Sequence, residues 1–302
     1  MQGDKHDLQE RHQIGCTGCR PPSVLKQIPD IAAFASAMNH LSGCTPSAQR
    51  QSLDAPPSLE RERHIAYIRL NRPGRHNRLQ PEDIAFAREL LESCRLDESI
   101  RVLVVAASGG SFSSGFDLSS WDSTASTSGE PPQVALQRLC DELEAFPRPT
   151  VCAVNGGVYG GAVDLALACD FRIGVSGATL RMAAAQLGLC FYPSGLQRFI
   201  TRLGLATSKR LFLAGEEYAG HDLLHIGFLD QVVEDGVALA RAVDALATRI
   251  SALPPTAAEY TKRALNQVAS GSADSEEGNR EFRRSLTSAE FARAVHAWSQ
   301  RK

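Results

Sequence analysis

The stretch Val151–Leu165, VCAVNGGVYGGAVDL, decides the reading of the chain. It opens as a short Val-rich apolar run, the pattern of a strand buried on both faces. The run breaks at Asn155-Gly156-Gly157, meets a second glycine pair at Gly160-Gly161, and continues as AVDLALAC, which reads as a buried helix. A strand, a glycine turn and a helix start bring bare backbone N–H groups and the positive end of a helix to one point. That point suits an anion, either a phosphate or the oxyanion of a reacting carbonyl. The spacing GGVYGG does not match the GxGxxG dinucleotide pattern, and no Gly-Lys-Ser/Thr follows to make a P-loop.

The chain has 302 residues, is 43% hydrophobic and carries a formal charge of −2, so it can bury a sizeable core. The near-neutral balance argues against a nucleic-acid partner, which selects a basic face. The sequence lacks an apolar run of the roughly 18 residues needed to span a bilayer. Its N-terminal residues do not read as a secretory signal, and Asp4, Asp7, Glu10 and Asp30 argue against a transit peptide, so a cytoplasmic location is expected. Of eight cysteines, Cys94, Cys140, Cys152, Cys169 and Cys190 lie in apolar or helical contexts and are expected to be reduced core thiols.

Residues 1–58 are polar and poorly periodic, ending in Asp54-Ala55-Pro56-Pro57, and read as a largely disordered extension with one short helix at Ile31–His40. Cys16-Thr17-Gly18-Cys19, with His40 and Cys44 downstream, lacks the regular second pair of a zinc site, so no metal is expected. The folded part is expected from the alternating run His64–Leu70, followed by a turn at Asn71–Gly74 and a helix opened by Pro81 with Glu82 and Asp83 in its first turn. Val102–Ala106 reads as a buried strand, Ser111–Leu118 as a small-residue loop, Ser119–Pro132 as a mobile loop, and Gln133–Phe146 as an amphipathic helix. Phe171–Val175 is a further strand, and from Ser194 onward helices dominate, at Ser194–Leu203, Ala206–Ala214, Val237–Leu253, Thr256–Ala269 and Glu276–Ser299. Strands alternating with helices imply crossover connections and a layered α/β core.

Taken together, these segments resemble the crotonase, or enoyl-CoA hydratase/isomerase, superfamily over about residues 60–302. The matching pieces are Asn71-Arg72-Pro73 with Asn77-Arg78-Leu79, Phe112–Leu118, Val154–Asp170, Leu187-Gly188, Gln197-Arg198, Gly227–Asp230 and Thr261–Asn266, in order. The resemblance implies a (ββα)n spiral core at 59–234 and a C-terminal helical trimerisation region at 235–302, assembling as a homotrimer or hexamer. It also implies an acyl-CoA thioester as substrate, with no metal or other cofactor. The oxyanion would be held by two backbone N–H groups, at Ser114 and Gly161 by position, with Gly115, Asp117 and Gly160 lining the substrate and Arg75, Asn77 and Arg78 near the nucleotide end of coenzyme A. The terminal Arg301-Lys302 would be a further phosphate partner.

The departures from the family bear on chemistry. The first of the family's two catalytic glutamates falls on Asp164 and the second on Ala184, which cannot transfer a proton. Asp164 is therefore expected as the single acid/base of a hydration or double-bond isomerisation. Tyr192 is a second candidate, although a phenol with an ordinary pKa of about 10 is a poor base at neutral pH; Tyr159 also lies beside the glycine pair. A one-acid site leaves open an acyl-CoA hydrolase or decarboxylase, and a binding protein without turnover. Trp121 and the loop around it are expected to shape the acyl pocket.

Overall fold

The computed structural model of the chain describes residues 54–118 and 131–300. The chain divides into two units, Met1–Arg50 and Gln51–Lys302, and the described residues all lie in the second. The helix expected at Ile31–His40, the cysteine motif with His40 and Cys44, Trp121 with most of its loop, and Arg301-Lys302 fall outside the described residues.

Ten strands form two sheets among the described residues. The larger sheet contains β1 (Ser58–Glu62), β2 (Ile65–Leu70), β3 (Val102–Ala107), β5 (Thr150–Val154), β7 (Phe171–Val175) and β10 (Gln231–Val233), side by side in that order. All its pairs are parallel except β1 with β2. Every residue of β3 and β5 is buried, as their unbroken apolar runs require of strands covered on both faces. The smaller sheet contains β4 (Ser111–Ser113), β6 (Gly157–Tyr159), β8 (Thr179–Arg181) and β9 (Glu217–Ala219), again in that order.

The two sheets are built by one repeated step. β3 turns into β4, β5 into β6 and β7 into β8, and each pair leads into a helix: α2 (Pro132–Glu144), α3 (Gly161–Leu167) and α4 (Pro193–Lys209). This is the expected strand–strand–helix core. Successive steps stack turn on turn. A Cβ placed on Gly156, in the β5–β6 turn, would lie 2.1 Å from the Gly110 carbonyl oxygen in the β3–β4 turn, so only glycine fits there.

α1 (Pro81–Leu96) starts where expected, with Pro81 in its first turn and a reciprocal cap between Gln80 and Asp83. The strand β1 lies upstream of the expected start of the fold. Its outward charges at Glu60, Arg61 and Glu62 disguise it, yet it pairs along its whole length with β2 as a polar edge strand. Cys190 also departs from expectation, being exposed, whereas Cys94, Cys140, Cys152 and Cys169 are buried free thiols.

The expected C-terminal helices are present as α6 (Gly236–Ser251) and α7 (Pro255–Ser270), after the single-turn α5 (Asp222–His225). The segment read as one helix over Glu276–Ser299 is two, α8 (Ser275–Leu286) and α9 (Ala289–Ser299). Ser288 makes the break, because its hydroxyl caps α9 by accepting from the Phe291 N–H at 3.0 Å. Neither α8 nor α9 has a buried residue, and Phe282 and Trp298 stand exposed on them.

Candidate active site

Two loops meet at the start of α3. The first follows β4. Its shape is fixed by Asn77, a buried residue in the left-handed region (φ 50°). The Asn77 side chain accepts from the Arg72 N–H at 2.8 Å and donates to the carbonyls of Ser108 and Ser111 at 2.7 and 2.9 Å. Its own carbonyl accepts from the Ser113 hydroxyl at 2.7 Å, and that hydroxyl accepts in turn from the Gly115 N–H at 3.1 Å. Asn77, expected near coenzyme A, is thus a buried brace with its amide group fully engaged by backbone.

The same loop corrects the expected oxyanion donor. The Ser114 N–H donates to the His76 carbonyl at 2.8 Å and is directed into the protein. Beyond it, Leu79 and Phe116 form a parallel bridge: the Leu79 N–H donates to Gly115 at 2.8 Å and the Asp117 N–H to Leu79 at 3.0 Å. Asp117 is buried and paired with Arg78 at 3.2 Å, while the half-exposed Arg75 reaches Asp54 at 3.5 Å. These two arginines therefore have carboxylate partners within the chain.

The second loop is the Gly160-Gly161 turn. Gly160 (φ 55°, ψ −125°) precedes α3, donating to the Arg181 carbonyl at 3.0 Å and accepting from the Val163 N–H at 3.0 Å. Gly161 is the first residue of α3, where a helix leaves its leading N–H groups without partners in the preceding turn. The two loops touch: a Cβ on Gly115 would lie 2.4 Å from the Tyr159 carbonyl oxygen and 3.3 Å from the Gly161 nitrogen. Tyr159 itself folds over Gly157 and its hydroxyl meets the Thr179 hydroxyl at 2.6 Å.

One helical turn beyond Gly161 stands Asp164, with no exposed surface. Arg198 of α4 forks onto it, Nε to Oδ1 and Nη2 to Oδ2, each at 2.8 Å. The Tyr192 hydroxyl donates to Oδ2 at 2.5 Å. Arg198 is itself almost wholly buried and extends its remaining nitrogen, Nη1, to Asp141 at 2.7 Å and Glu144 at 3.0 Å, both on α2. The buried Cys140 thiol adjoins the same groups.

These contacts set the charge states. Burial, and then the neighbouring Cys140 and Asp164, push the Tyr192 phenol well above its ordinary range, so it is a neutral hydrogen-bond donor at physiological pH. Burial works against the charge on Arg198, but the hydrogen bonds and charge of Asp164, with Cys140 and Asp141 adding to them, hold its pKa above the ordinary arginine value. Burial raises the Cys140 thiol well above its ordinary range, which keeps it protonated. Tyr192 is only partly buried and is the most accessible of the groups bonded to Asp164. Ala184 is buried and contributes only its carbonyl, which accepts from the Leu187 and Leu189 N–H groups.

The arrangement joins a helix N-terminus that can accept developing negative charge to a hydroxyl–carboxylate pair that can manage one proton. Its anchors Asp141 and Glu144 had no visible role in the sequence, and Arg198 stood out there only as part of a Gln-Arg match. Among the described residues, no group of three or more His, Cys, Asp or Glu is placed to hold a metal, and no helix is long and apolar enough to cross a membrane.

Comparison with known proteins gives a consistent result. Enoyl-CoA hydratase domain-containing protein 2, mitochondrial, from Mus musculus is 32% identical over 244 residues, covering 78% of this chain and 81% of that protein. The (E)-benzylidenesuccinyl-CoA hydratase of Thauera aromatica is 31% identical over 217 residues, covering 69% and 81%. Among solved structures, an enoyl-CoA hydratase/isomerase family protein from Hyphomonas neptunium superposes with a TM-score of 0.75 at 25% identity, covering 83% of this chain and 97% of its own. The family model for enoyl-CoA hydratase/isomerase matches residues 60–298. With the strand–strand–helix core and the paired glycine loops, this places the chain in the enoyl-CoA hydratase/isomerase family.

Proposed function

We propose that this protein acts on an acyl-CoA thioester, holds the enolate oxyanion on backbone N–H groups, and moves one proton through Tyr192, the net reaction being hydration of an enoyl-CoA. The observation that carries this reading is the placement of the Tyr192–Asp164 pair one helical turn from Gly161. The Gly161 N–H is one donor. The second we assign to the Phe116 N–H. In the bridge with Leu79, Gly115 and Asp117 turn their polar groups toward Leu79, so Phe116 turns its own away from it, next to the glycine that touches the Gly161 turn.

Asp164 then acts as the acceptor that orients the Tyr192 hydroxyl, not as the group that meets substrate, because both of its oxygens are engaged and none of its surface is exposed. A single hydroxyl suffices for addition of water. It gives its proton to the α-carbon while a proton of the attacking water passes to the same oxygen, and the tyrosine ends in its starting state. The C-terminal helices, with exposed apolar side chains such as Val268, Phe282 and Trp298, suit assembly of the chain as a trimer or a pair of trimers, which light scattering tests directly.

Ala184 favours a second reading. Loss of carbon dioxide from a malonyl-type thioester yields the same enolate without a base and needs only the oxyanion donors and a proton from Tyr192. A panel of enoyl-, hydroxyacyl- and malonyl-type CoA thioesters, with products weighed by mass spectrometry, separates the readings. Gain of water supports the first, loss of carbon dioxide the second, free coenzyme A a hydrolase, and binding without product a pocket that has lost its chemistry. Because the phenol is raised, its proton is retained as pH rises through about 10, where an unperturbed tyrosine ionises. Tyr192 is therefore expected to show no ionisation up to that point, and its ionisation well below it, read from its own ring-carbon NMR resonance, would remove Tyr192 as the proton donor.

A further inference from the structure

We infer that Arg198 is a positioning residue whose hold on Asp164 is set from outside the acyl site, so that Asp141 and Glu144 at the end of α2 tune Tyr192 through one buried guanidinium. This rests on the reading of Tyr192 as the proton carrier.

The sharing is visible atom by atom. Nε and Nη2 of Arg198 serve Asp164, while Nη1 serves Asp141 and Glu144. One cation with 1% exposure of its side chain thus answers three carboxylates. A second, Arg202, reaches Glu144 at 3.4 Å and the Leu167 carbonyl at 3.4 Å. Three carboxylates share these two guanidiniums, and the inner pair, Arg198 and Asp164, is shut off from water, where charges act on each other far more strongly than in solution. The hydrogen bond from Tyr192 falls on the innermost of the three carboxylates, at Asp164 Oδ2.

Asp141 and Glu144 compete with Asp164 for Arg198. Neutralising either one frees the guanidinium for Asp164, draws negative charge off its carboxylate and weakens its pull on the phenol proton. The outer end of this chain of contacts is reachable. Asp141 and Glu144 line a cavity of about 560 Å³ bounded also by Gln197, Thr201 and Arg202 of α4 and by Lys262 of α7. Their side chains keep 39% and 29% exposure, so substituting them does not strand a buried charge as a change at Arg198 would.

The test is Asp141→Asn and Glu144→Gln in the full chain, read by the ring-carbon NMR resonance of Tyr192 and by kcat and KM on whichever thioester the panel identifies. The resonance is assigned by its loss in Tyr192→Phe. Each substitution is expected to move the Tyr192 resonance and to change kcat by about two- to thirtyfold at constant KM, the range carried by residues that touch neither reactant. Arg198→Lys, which keeps the charge and loses the fork, is expected to retain more turnover than Arg198→Met. An unmoved resonance and unchanged kcat, with only a lower Tm, would reduce the cluster to a structural ion pair and overturn the inference. Wild-type turnover in Tyr192→Phe would instead remove the proton-carrier reading, while the resonance shifts would still report on the coupling.

Discussion

Gly115 and Gly160 sit in turns that touch, and both have positive φ, +85° and +55°. Their surroundings differ. A Cβ on Gly115 would run into the Tyr159 carbonyl oxygen at 2.4 Å, whereas a Cβ on Gly160 would meet nothing within 4 Å. At the first position glycine permits one backbone to approach another; at the second it permits only a dihedral angle. The same contrast holds for the amides. Around Gly115 the N–H groups of Ser114, Gly115 and Asp117 are all given to neighbouring oxygens, so that loop is held rigid. Around Gly160 the chain passes into the first turn of α3, where the Gly161 N–H leads the helix. One loop is a brace and the other leads into the start of a helix.

The largest effect expected from this difference is that of Gly115→Ala. The obstructing atom is backbone, so no rotamer change relieves it, and the two loops must separate. That displaces the Gly161 amide from its neighbour and removes its alignment with the first loop. On the proposed function a loss of about 10²–10³ in kcat/KM is expected, the cost of one misplaced oxyanion donor. Wild-type kcat/KM in a folded Gly115→Ala protein would show that the loops need not touch for turnover.

Next in size is Asn77→Ala, which attacks the brace without entering the proposed acyl site. It removes the acceptor of the Arg72 N–H and the donor to the carbonyls of Ser108 and Ser111, in a residue with 2% exposure. Each buried group left without a partner costs about 1–3 kcal/mol. Denaturant unfolding should therefore register a loss of stability larger than any single surface substitution gives, with kcat falling only as far as the loop loosens. A stability equal to wild type would mean that water replaces the amide, and the first loop would then be less rigid than its hydrogen bonds imply.

Much of this was legible in the sequence. The runs Val102–Ala106 and Val151–Val154 named the central strands because parallel strands covered on both faces need unbroken apolar residues. The glycines at 156, 157, 160 and 161 announced a close turn before a helix, and the family pattern placed the acid at Asp164. The direction of the Ser114 amide was not legible, because it depends on a carbonyl at His76 and a backbone acceptor leaves no side-chain signature. Nor was the pairing of Asp164 with Arg198, or of Arg198 with Asp141 and Glu144, at separations of 34, 57 and 54 residues. The acidic run Asp141-Glu142-Leu143-Glu144 at the end of α2 reads in sequence as an ordinary solvated helix end; only the packing of α2, α3 and α4 turns it into the anchor of a buried cation. The strand β1 was hidden for the opposite reason, since an edge strand can bury so little that its sequence stays polar.

The smallest effect is expected at Gly160→Ala, and it is the sharpest check on the contrast. Nothing stands in the way of the methyl group, so the cost is that of holding a non-glycine residue at φ 55° and ψ −125°, about 1–3 kcal/mol. The hydrogen bonds from the Gly160 N–H to Arg181 and from Val163 back to Gly160 tie the turn at both ends, so the strain is borne in place and Gly161 keeps its position. The variant should therefore unfold at lower denaturant while kcat/KM stays within about threefold of wild type, a change of under 1 kcal/mol in transition-state stabilisation. If Gly160→Ala instead lost as much activity as Gly115→Ala, the turn before α3 would be as intolerant as the brace. The oxyanion position would then depend on the dihedral angles of Gly160 itself, and not on the contact that Gly115 makes with Tyr159.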